Sequence, residues 1–273
     1  MQERQSLPDI NRLSIVSAAI MLAFALTRVV SFPAQLISFS IFGIVLDFIL
    51  DFSTVITLFT AILAAVGMDW LNQTHPEKKE GQTFLSNSSH WLIPIFTTLV
   101  IGVVLNSSAG GPYWWIIYGF GSLILIAVLI AEYNVHSPED NNHPLATIGL
   151  TGLSFVLFFL LAISVFSANL RLYIRLPLLG LGALMTISRT FNLRTGHWYL
   201  MWTVVASLVV SEMVVGFHYL PLSPLQFGLI LVGAAYGITS IVTGIKESRT
   251  QWELWWEPVS MLFITILISV LLG

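Results

Sequence analysis

A carboxylate lies inside a hydrophobic run in the last third of the chain. Residues 207–224 read SLVVSEMVVGFHYLPLSP, in which Glu212 is surrounded by apolar residues and His218 follows six residues later. A charge inside a membrane span costs about 3 kcal/mol on insertion scales, so such a residue pairs with another charge or lines a wet cavity. Glu212 therefore has two hypotheses: an ion pair that locks helices together, or a group that binds a cation, a proton or a polar headgroup.

Other charged side chains lie in equally apolar surroundings, and the topology derived below places them in the same leaflet as Glu212 and His218. Arg28 and Arg175 are the expected counter-charges of Glu212, in a pocket or in a structural pair. A continuous helix would set Glu212 and His218 about 120° apart, whereas a turn near Gly216 would bring them together. The candidate binding cluster consists of Arg28, Asp47, Asp51, Arg175, Glu212 and His218.

A polar loop at residues 134–144 combines His136, Glu139, Asp140 and His143. These side chains are ligands that zinc accepts, but their spacing matches no established zinc site, so a solvated loop is the better interpretation. No metal and no cofactor are predicted. The chain also lacks Gly-x-Ser-x-Gly, His-Glu-x-x-His, Walker and Gly-x-Gly-x-x-Gly motifs, and this argues against the corresponding enzymes without deciding whether the protein is one.

The composition requires a membrane to position these residues. Charged residues make up 9% of the chain and hydrophobic residues 56%, and the mean hydropathy is +0.86. A soluble domain carries about a quarter charged residues, so lipid must cover this much apolar surface. The net charge of −3 gives no basic footprint for nucleic acid. The absence of cysteine excludes disulfides and thiolate chemistry.

The hydrophobic runs predict an all-α integral membrane protein, a polytopic bundle of about nine transmembrane helices in one transmembrane domain over residues 1–273. The sixth run is short, so a re-entrant segment is an alternative there. The predicted spans are residues 13–30, 54–71, 91–105, 113–131, 145–166, 176–188, 197–216, 225–245 and 255–272.

Residues 35–52, QLISFSIFGIVLDFILDF, follow a different pattern. Apolar and polar side chains alternate over much of this stretch, and Gly43 interrupts it. Period-2 alternation rich in aromatic and β-branched residues predicts a β-hairpin or a re-entrant segment on the outer face. Because an open hairpin cannot expose unpaired edges to lipid, it should lie at the interface or under helices. The alternative is a tilted helix with Asp47 and Asp51 on one face.

Two further patterns concern the last two spans. Gly233 and Gly237 form a Gly-x-x-x-Gly motif, which predicts close helix packing within the chain first and a dimer contact second. Tyr236 between them is interpreted as filling the same interface. Glu253 and Glu257 lie among tryptophans and indicate an interfacial entry to the ninth span.

Lysine and arginine in short loops predict the orientation, since cytoplasmic loops are enriched in both. An N-terminus in the cytoplasm leaves only Arg171 and Arg175 in outer segments, with Arg28 near the outer end of the first span, and places the C-terminus outside. The basic residues of the inner segments are then Arg4, Arg12, Lys78, Lys79, Arg189, Arg194, Lys246 and Arg249.

Three stretches, TRVVSFP, FGIVLDFILDFSTVITLFTAILAAVGMDWL and FHYLPLSP, resemble a family of bacterial multi-pass membrane proteins that forms a domain of unknown function. The likeness covers the first seventy residues and the region of the seventh to ninth spans. The resemblance implies a protein of the bacterial inner membrane and transfers no catalytic residue.

These observations favour a non-enzymatic accessory, assembly or scaffold protein whose partners are the lipid bilayer and other membrane subunits. One alternative is a carrier of a small solute, an ion or a lipid that uses the outer-leaflet polar pocket. A second alternative is a membrane enzyme acting on a lipid-linked substrate, with Asp47 or Asp51 as the base.

Overall fold

The computed structural model describes residues 8–30, 32–41, 44–73, 89–108, 110–135 and 143–271. Within these ranges the chain forms nine α-helices and one two-stranded sheet, which confirms the predicted fold class. The elements are α1 Ile10–Val29, β1 Gln35–Ile41, β2 Ile44–Leu50, α2 Phe52–Asn72, α3 Leu92–Ser107, α4 Pro112–Val135, α5 His143–Ser167, α6 Leu172–Thr195, α7 Leu200–His218, α8 Pro224–Lys246 and α9 Gln251–Leu271.

Eight of the nine helices in the described ranges are long and apolar enough to cross a membrane, and α6 is the exception. The sixth predicted span, residues 176–188, lies inside α6, which has 24 residues. The added turns bring Arg175, Arg189 and Arg194 into the helix. The first two are almost completely buried, with 4% and 1% exposure. Thus α6 is enclosed by protein at Arg175 and Arg189, while Arg194 is partly exposed.

The segment after α1 is the predicted β-hairpin, and the helical alternative is wrong. β1 and β2 pair antiparallel from Gln35 opposite Leu50 to Ile41 opposite Ile44. Side chains on both faces are exposed, including Leu36 at 65% and Phe39 at 55%. The described part of the hairpin is therefore not roofed by helices, which leaves the membrane interface as its expected position.

The helices cluster into two compact units, Met1–Ala146 (unit 1) and Thr147–Gly273 (unit 2). In unit 1, α1, α2, α3 and α4 pack around a core in which Ile20, Met68 and Leu125 are completely buried. Small residues allow this packing, since a side chain on Gly67 would collide with Val16. The prediction of one transmembrane domain over 1–273 stays a prediction.

In unit 2, close helix contacts also depend on glycines. The predicted Gly-x-x-x-Gly motif in α8 faces α9: Gly233 lies against Thr265, and Gly237 against Leu262. Intramolecular packing is thus confirmed as a role of this motif. A capping box at Ser223 and Gln226 starts α8, and the Gln226 side chain also donates to a main-chain carbonyl of α9.

Candidate functional site

Glu212 lies on the exposed side of α7. The packed side of the helix is a stripe that includes Thr203, Ser207, Val210 and Val214. Glu212 is two residues from both valines, a rotation of about 200°, so it points away from that stripe. Its side chain is exposed, and no ion pair of Glu212 occurs among the described residues.

α7 continues without a break through Gly216 to His218. The turn that would bring Glu212 and His218 together is therefore absent from this described helix, and the two side chains differ in direction by about 120°. The direct pairing of these residues in one binding pocket has no support within α7 itself.

His218 instead contacts Arg175 of α6. The Nη1 atom of Arg175 donates to Nδ1 of His218 over 2.8 Å. Since a guanidinium has only donors, the imidazole accepts at Nδ1 and carries its proton on Nε2. The guanidinium also lies 4.7 Å from the centroid of the Phe166 ring. Two of the six predicted site residues are thus brought together, without Glu212.

Arg28 lies in the last turn of α1, in unit 1. Its guanidinium is 5.3 Å from the centre of the Trp114 ring, a cation–π distance. The main chain of Gly110, which has a φ of +85°, approaches the same guanidinium, and an added Cβ would lie 3.1 Å from Nη2. Both observations place Arg28 at the junction of α1 with the turn before α4.

The two hairpin aspartates have structural hydrogen bonds. The Ser38 hydroxyl donates to Asp47 across the sheet over 2.8 Å. Asp51 is the N-cap of α2 and accepts from the main-chain N–H of Thr54 over 2.8 Å and from its hydroxyl over 2.5 Å. Asp51 therefore joins the hairpin to α2.

The predicted cluster is thus divided between the two units. Unit 1 contains the Arg28 contact and the hairpin aspartates, and unit 2 contains Arg175, His218 and Glu212. A single outer-leaflet pocket made of all six residues stays a prediction.

The main polar network of unit 2 was not predicted, and it centres on Glu257 of α9. The Tyr236 hydroxyl of α8 donates to Oε1 of Glu257 in a short hydrogen bond. Arg249 donates to Oε2 over 2.8 Å and to Glu247 over 2.7 Å, and Arg194 of α6 lies 4.0 Å from Glu257. The network ties α6, α8 and α9 together at one end of the unit.

Arg249 lies in the link between α8 and α9. Burial alone would lower the pKa of its guanidinium, but the hydrogen bond to Glu257 and the nearby Glu247 carboxylate raise that pKa above its ordinary value. The arginine therefore stays charged at any physiological pH, and its ion pairs with Glu247 and Glu257 are retained. The adjacent Lys246 ammonium lies 5.0 Å from the centre of the Tyr199 ring.

A second unpredicted contact lies in unit 1. Glu132 is completely buried and its Oε2 is 3.1 Å from Nδ1 of His90. The predicted fourth span ends at residue 131, just before this carboxylate, whereas α4 continues to Val135. The only sign of this contact in the sequence was an acidic residue directly after an apolar run.

The loop considered for zinc lies largely outside the described residues. His136, Glu139 and Asp140 are not described, while His143 is the first residue of α5. Within the described ranges, no group of three or more histidine, aspartate or glutamate side chains is arranged to hold a metal ion.

Comparison with known proteins gives a family but no activity. A family model described as "Protein of unknown function (DUF5656)" matches residues 32–272, which include the hairpin and helices α2 to α9. The chain belongs to this family. Neither the curated proteins nor the solved structures gave a match.

Membership in the DUF5656 family confirms the resemblance to a domain of unknown function and assigns no role to any residue, and the bacterial origin stays a prediction. The matched region begins after α1, so Arg28 lies outside it, whereas the other five residues of the predicted cluster lie within it. The family match and the fold together describe a multi-pass, membrane-type helical protein of unknown function.

Proposed function

We propose that this protein is a non-enzymatic membrane subunit, an accessory, assembly or scaffold component, that contacts a partner's transmembrane helix through α7. The contact surface is the Glu212 face, defined as Val205, Leu208, Val209, Glu212 and Gly216. The observation that carries the proposal is the exposure of Glu212 on the side of α7 opposite its packed stripe.

The position of Glu212 along α7 explains why exposure suggests a partner. Six residues separate it from the end of the helix at His218, which corresponds to a depth of about 9 Å. Ionisable residues in spans almost always face protein or a wet cavity, because lipid does not solvate them. A partner helix that offers a basic or hydroxyl side chain would remove this cost.

The rest of the Glu212 face suits a helix–helix contact. Leu208 is 58% exposed and Val209 is 40% exposed, one turn from the carboxylate on one side. Gly216 lies one turn away on the other side, and a Cβ added there would meet nothing within 4 Å. Apolar side chains next to a glycine allow two helices to approach closely in lipid.

The bacterial cytoplasmic membrane is the proposed location, with the N-terminus in the cytoplasm and the C-terminus outside. The support is the distribution of lysine and arginine, of which eight fall in the proposed inner segments and two in the outer segments. The resemblance noted in the sequence supports the bacterial assignment.

The test of the partner contact is substitution of Glu212→Gln combined with site-specific photo-crosslinking. A photoreactive amino acid at position 208, in place of Leu208, is expected to form a cross-link to one other membrane protein. Native mass spectrometry of the intact complex should show the two proteins in a fixed stoichiometry. Glu212→Gln should abolish this adduct while thermal unfolding in detergent is unchanged, because Glu212 has no described partner within its own unit.

Matched controls lie on the same helix. Ser211→Ala alters the neighbouring residue, which faces Gly180 of α6, and should retain the complex. A photoreactive residue at Val210, which is completely buried, should give no partner adduct. A cross-link from position 208 that stays within one chain, or a complex that survives Glu212→Gln, would show the proposal to be wrong.

A further inference from the structure

Arg175 is a buried cation whose contacts do not include an anion. The residue is 4% exposed and lies in the first turn of α6. Its partners among the described residues are the neutral His218 ring and the face of Phe166. Neither group neutralises a charge, so the guanidinium retains a full positive charge inside unit 2, which is costly in a low-dielectric environment.

One edge of the guanidinium is free. Nη1 is used by His218, whereas Nε is buried and has no hydrogen-bond partner. Nη2 donates to none of the described residues. Nε and Nη2 form the edge on which arginine holds two oxygens of a carboxylate or phosphate at once. A buried donor without an acceptor is uncommon in folded proteins and indicates a missing acceptor.

The surroundings of this edge also favour an anion. The N-terminus of α6 has no side-chain cap and no acidic residue in its first turn, so its main-chain N–H groups add partial positive charge. The N-cap itself is Arg171. The acidic residue of α7, Glu212, is on the other side of that helix from the packed stripe. The helix N-terminus and Arg175 therefore both contribute positive charge at this end of α6.

The depth of the site matches a phosphate of the headgroup region. Arg175 is three residues from the start of α6, about 5 Å along the helix axis. His218 is the last residue of α7, and Phe166 is next to the last residue of α5. The ring of Phe166 packs against Phe227 in the first turn of α8, with centroids 4.4 Å apart. The ends of α5 and α7 thus contact the guanidinium of α6, and α8 packs behind Phe166.

We propose that Arg175 and His218 form a binding site for a phosphate oxyanion, held on the Nε–Nη2 edge of Arg175 with the Nε2–H of His218 as a further donor. The phosphate comes from a phospholipid headgroup or from a free phosphate, since both offer the same oxygens. This site is independent of the proposed partner contact, because it uses a different side of α7.

The experiment measures binding to the full chain in dodecyl maltoside, a detergent without phosphate, by isothermal titration calorimetry. The probes are short-chain phosphatidylglycerol, inorganic phosphate, and a diacylglycerol of the same chain length as the phosphate-free control. Wild type should bind phosphatidylglycerol and not diacylglycerol. Arg175→Gln should weaken binding by about tenfold or more, as expected for loss of hydrogen bonds to a charged group.

Two further variants keep the test decisive. Arg194→Gln, at the other end of the same helix, is the matched control and should bind like wild type. Arg175→Lys preserves the charge and the expectation of folding but removes the two-donor edge, so it should also weaken binding about tenfold. Thermal unfolding checks that each variant is folded.

The probes distinguish the sources of the phosphate. Binding of the lipid alone supports a headgroup site, and binding of inorganic phosphate with the same dependence on Arg175 supports a free-anion site. The proposal is overturned if wild type binds neither probe, or if Arg175→Lys binds both as well as wild type does.

Discussion

Glu257 and Glu212 are carboxylates in helices of the same unit, and their surroundings are opposite. Glu257 accepts hydrogen bonds from Tyr236 and Arg249 and lies near Arg194. Glu212 is exposed and has no described partner. Within the described part of unit 2, Glu257 is the carboxylate that joins helices, and a helix lock at Glu212 stays a prediction.

Disrupting this lock should lower the stability of unit 2. Glu257→Gln removes the ion pair with Arg249 and should decrease the free energy of unfolding by about 1–3 kcal/mol. Tyr236→Phe removes one hydrogen bond and should cost about 1 kcal/mol. Thermal and denaturant unfolding in detergent, followed by tryptophan fluorescence, would measure both effects.

The double variant provides the control for this prediction. If Tyr236 acts through Glu257, the loss in Tyr236→Phe/Glu257→Gln will be smaller than the sum of the two single losses. Full additivity would mean that the hydroxyl and the carboxylate stabilise the fold independently.

The sequence identified charged residues inside apolar segments but could not identify their partners. α7 is apolar on all sides, with Leu208, Val209 and Val210 in succession, so no local pattern shows which side packs. Tyr236 and Glu257 are 21 residues apart on different helices, and their contact depends on how α8 and α9 are rotated. Such pairs follow from tertiary packing rather than from local spacing.

At the scale of the elements, local patterns predicted the hairpin and the α8 contact but not the length of α6. Alternation over residues 35–52 predicted the hairpin, because successive side chains of a strand point to opposite faces. The Gly-x-x-x-Gly spacing predicted a close contact of α8, because residues four apart share one helix face. The length of α6 was underestimated, because its arginines interrupt the hydrophobic run although the helix continues through them.

Adding a methyl group should distinguish packed glycines from free ones. Gly233→Ala places a Cβ against the Thr265 side chain and should lower the free energy of unfolding by about 1–3 kcal/mol. Gly152→Ala in α5 meets nothing within 4 Å and should be neutral, or stabilising by up to about 1 kcal/mol through helix propensity. Denaturant unfolding of both variants measures the difference. Equal effects would contradict the close contact of α8 with α9.

At the scale of the whole molecule, the orientation of the chain in the membrane can be tested by thiol labelling with no background signal from native cysteines. The chain has no cysteine, so a single introduced thiol gives the only signal with a membrane-impermeant maleimide. Ser107→Cys, at the end of α3, should be labelled in intact cells. Thr250→Cys, just before α9, should be labelled only after the membrane is permeabilised.

Both positions suit the experiment, because both residues are exposed. Labelling with the opposite pattern would invert the proposed orientation. Labelling of both thiols in intact cells would contradict an odd number of crossings between them.

The buried arginines of α6 have a consequence for biosynthesis. Arg175 lies near the start of α6 and Arg189 lies deeper, and an arginine costs up to about 3 kcal/mol at the centre of a lone helix in lipid and less toward its ends, so α6 inserts less favourably by itself than an apolar helix does. In the folded chain α6 packs against α7 and α8, which follow it in the sequence, and Arg175 is covered in part by His218 of α7. We therefore expect α6 to enter the bilayer together with α7 and α8 rather than before them.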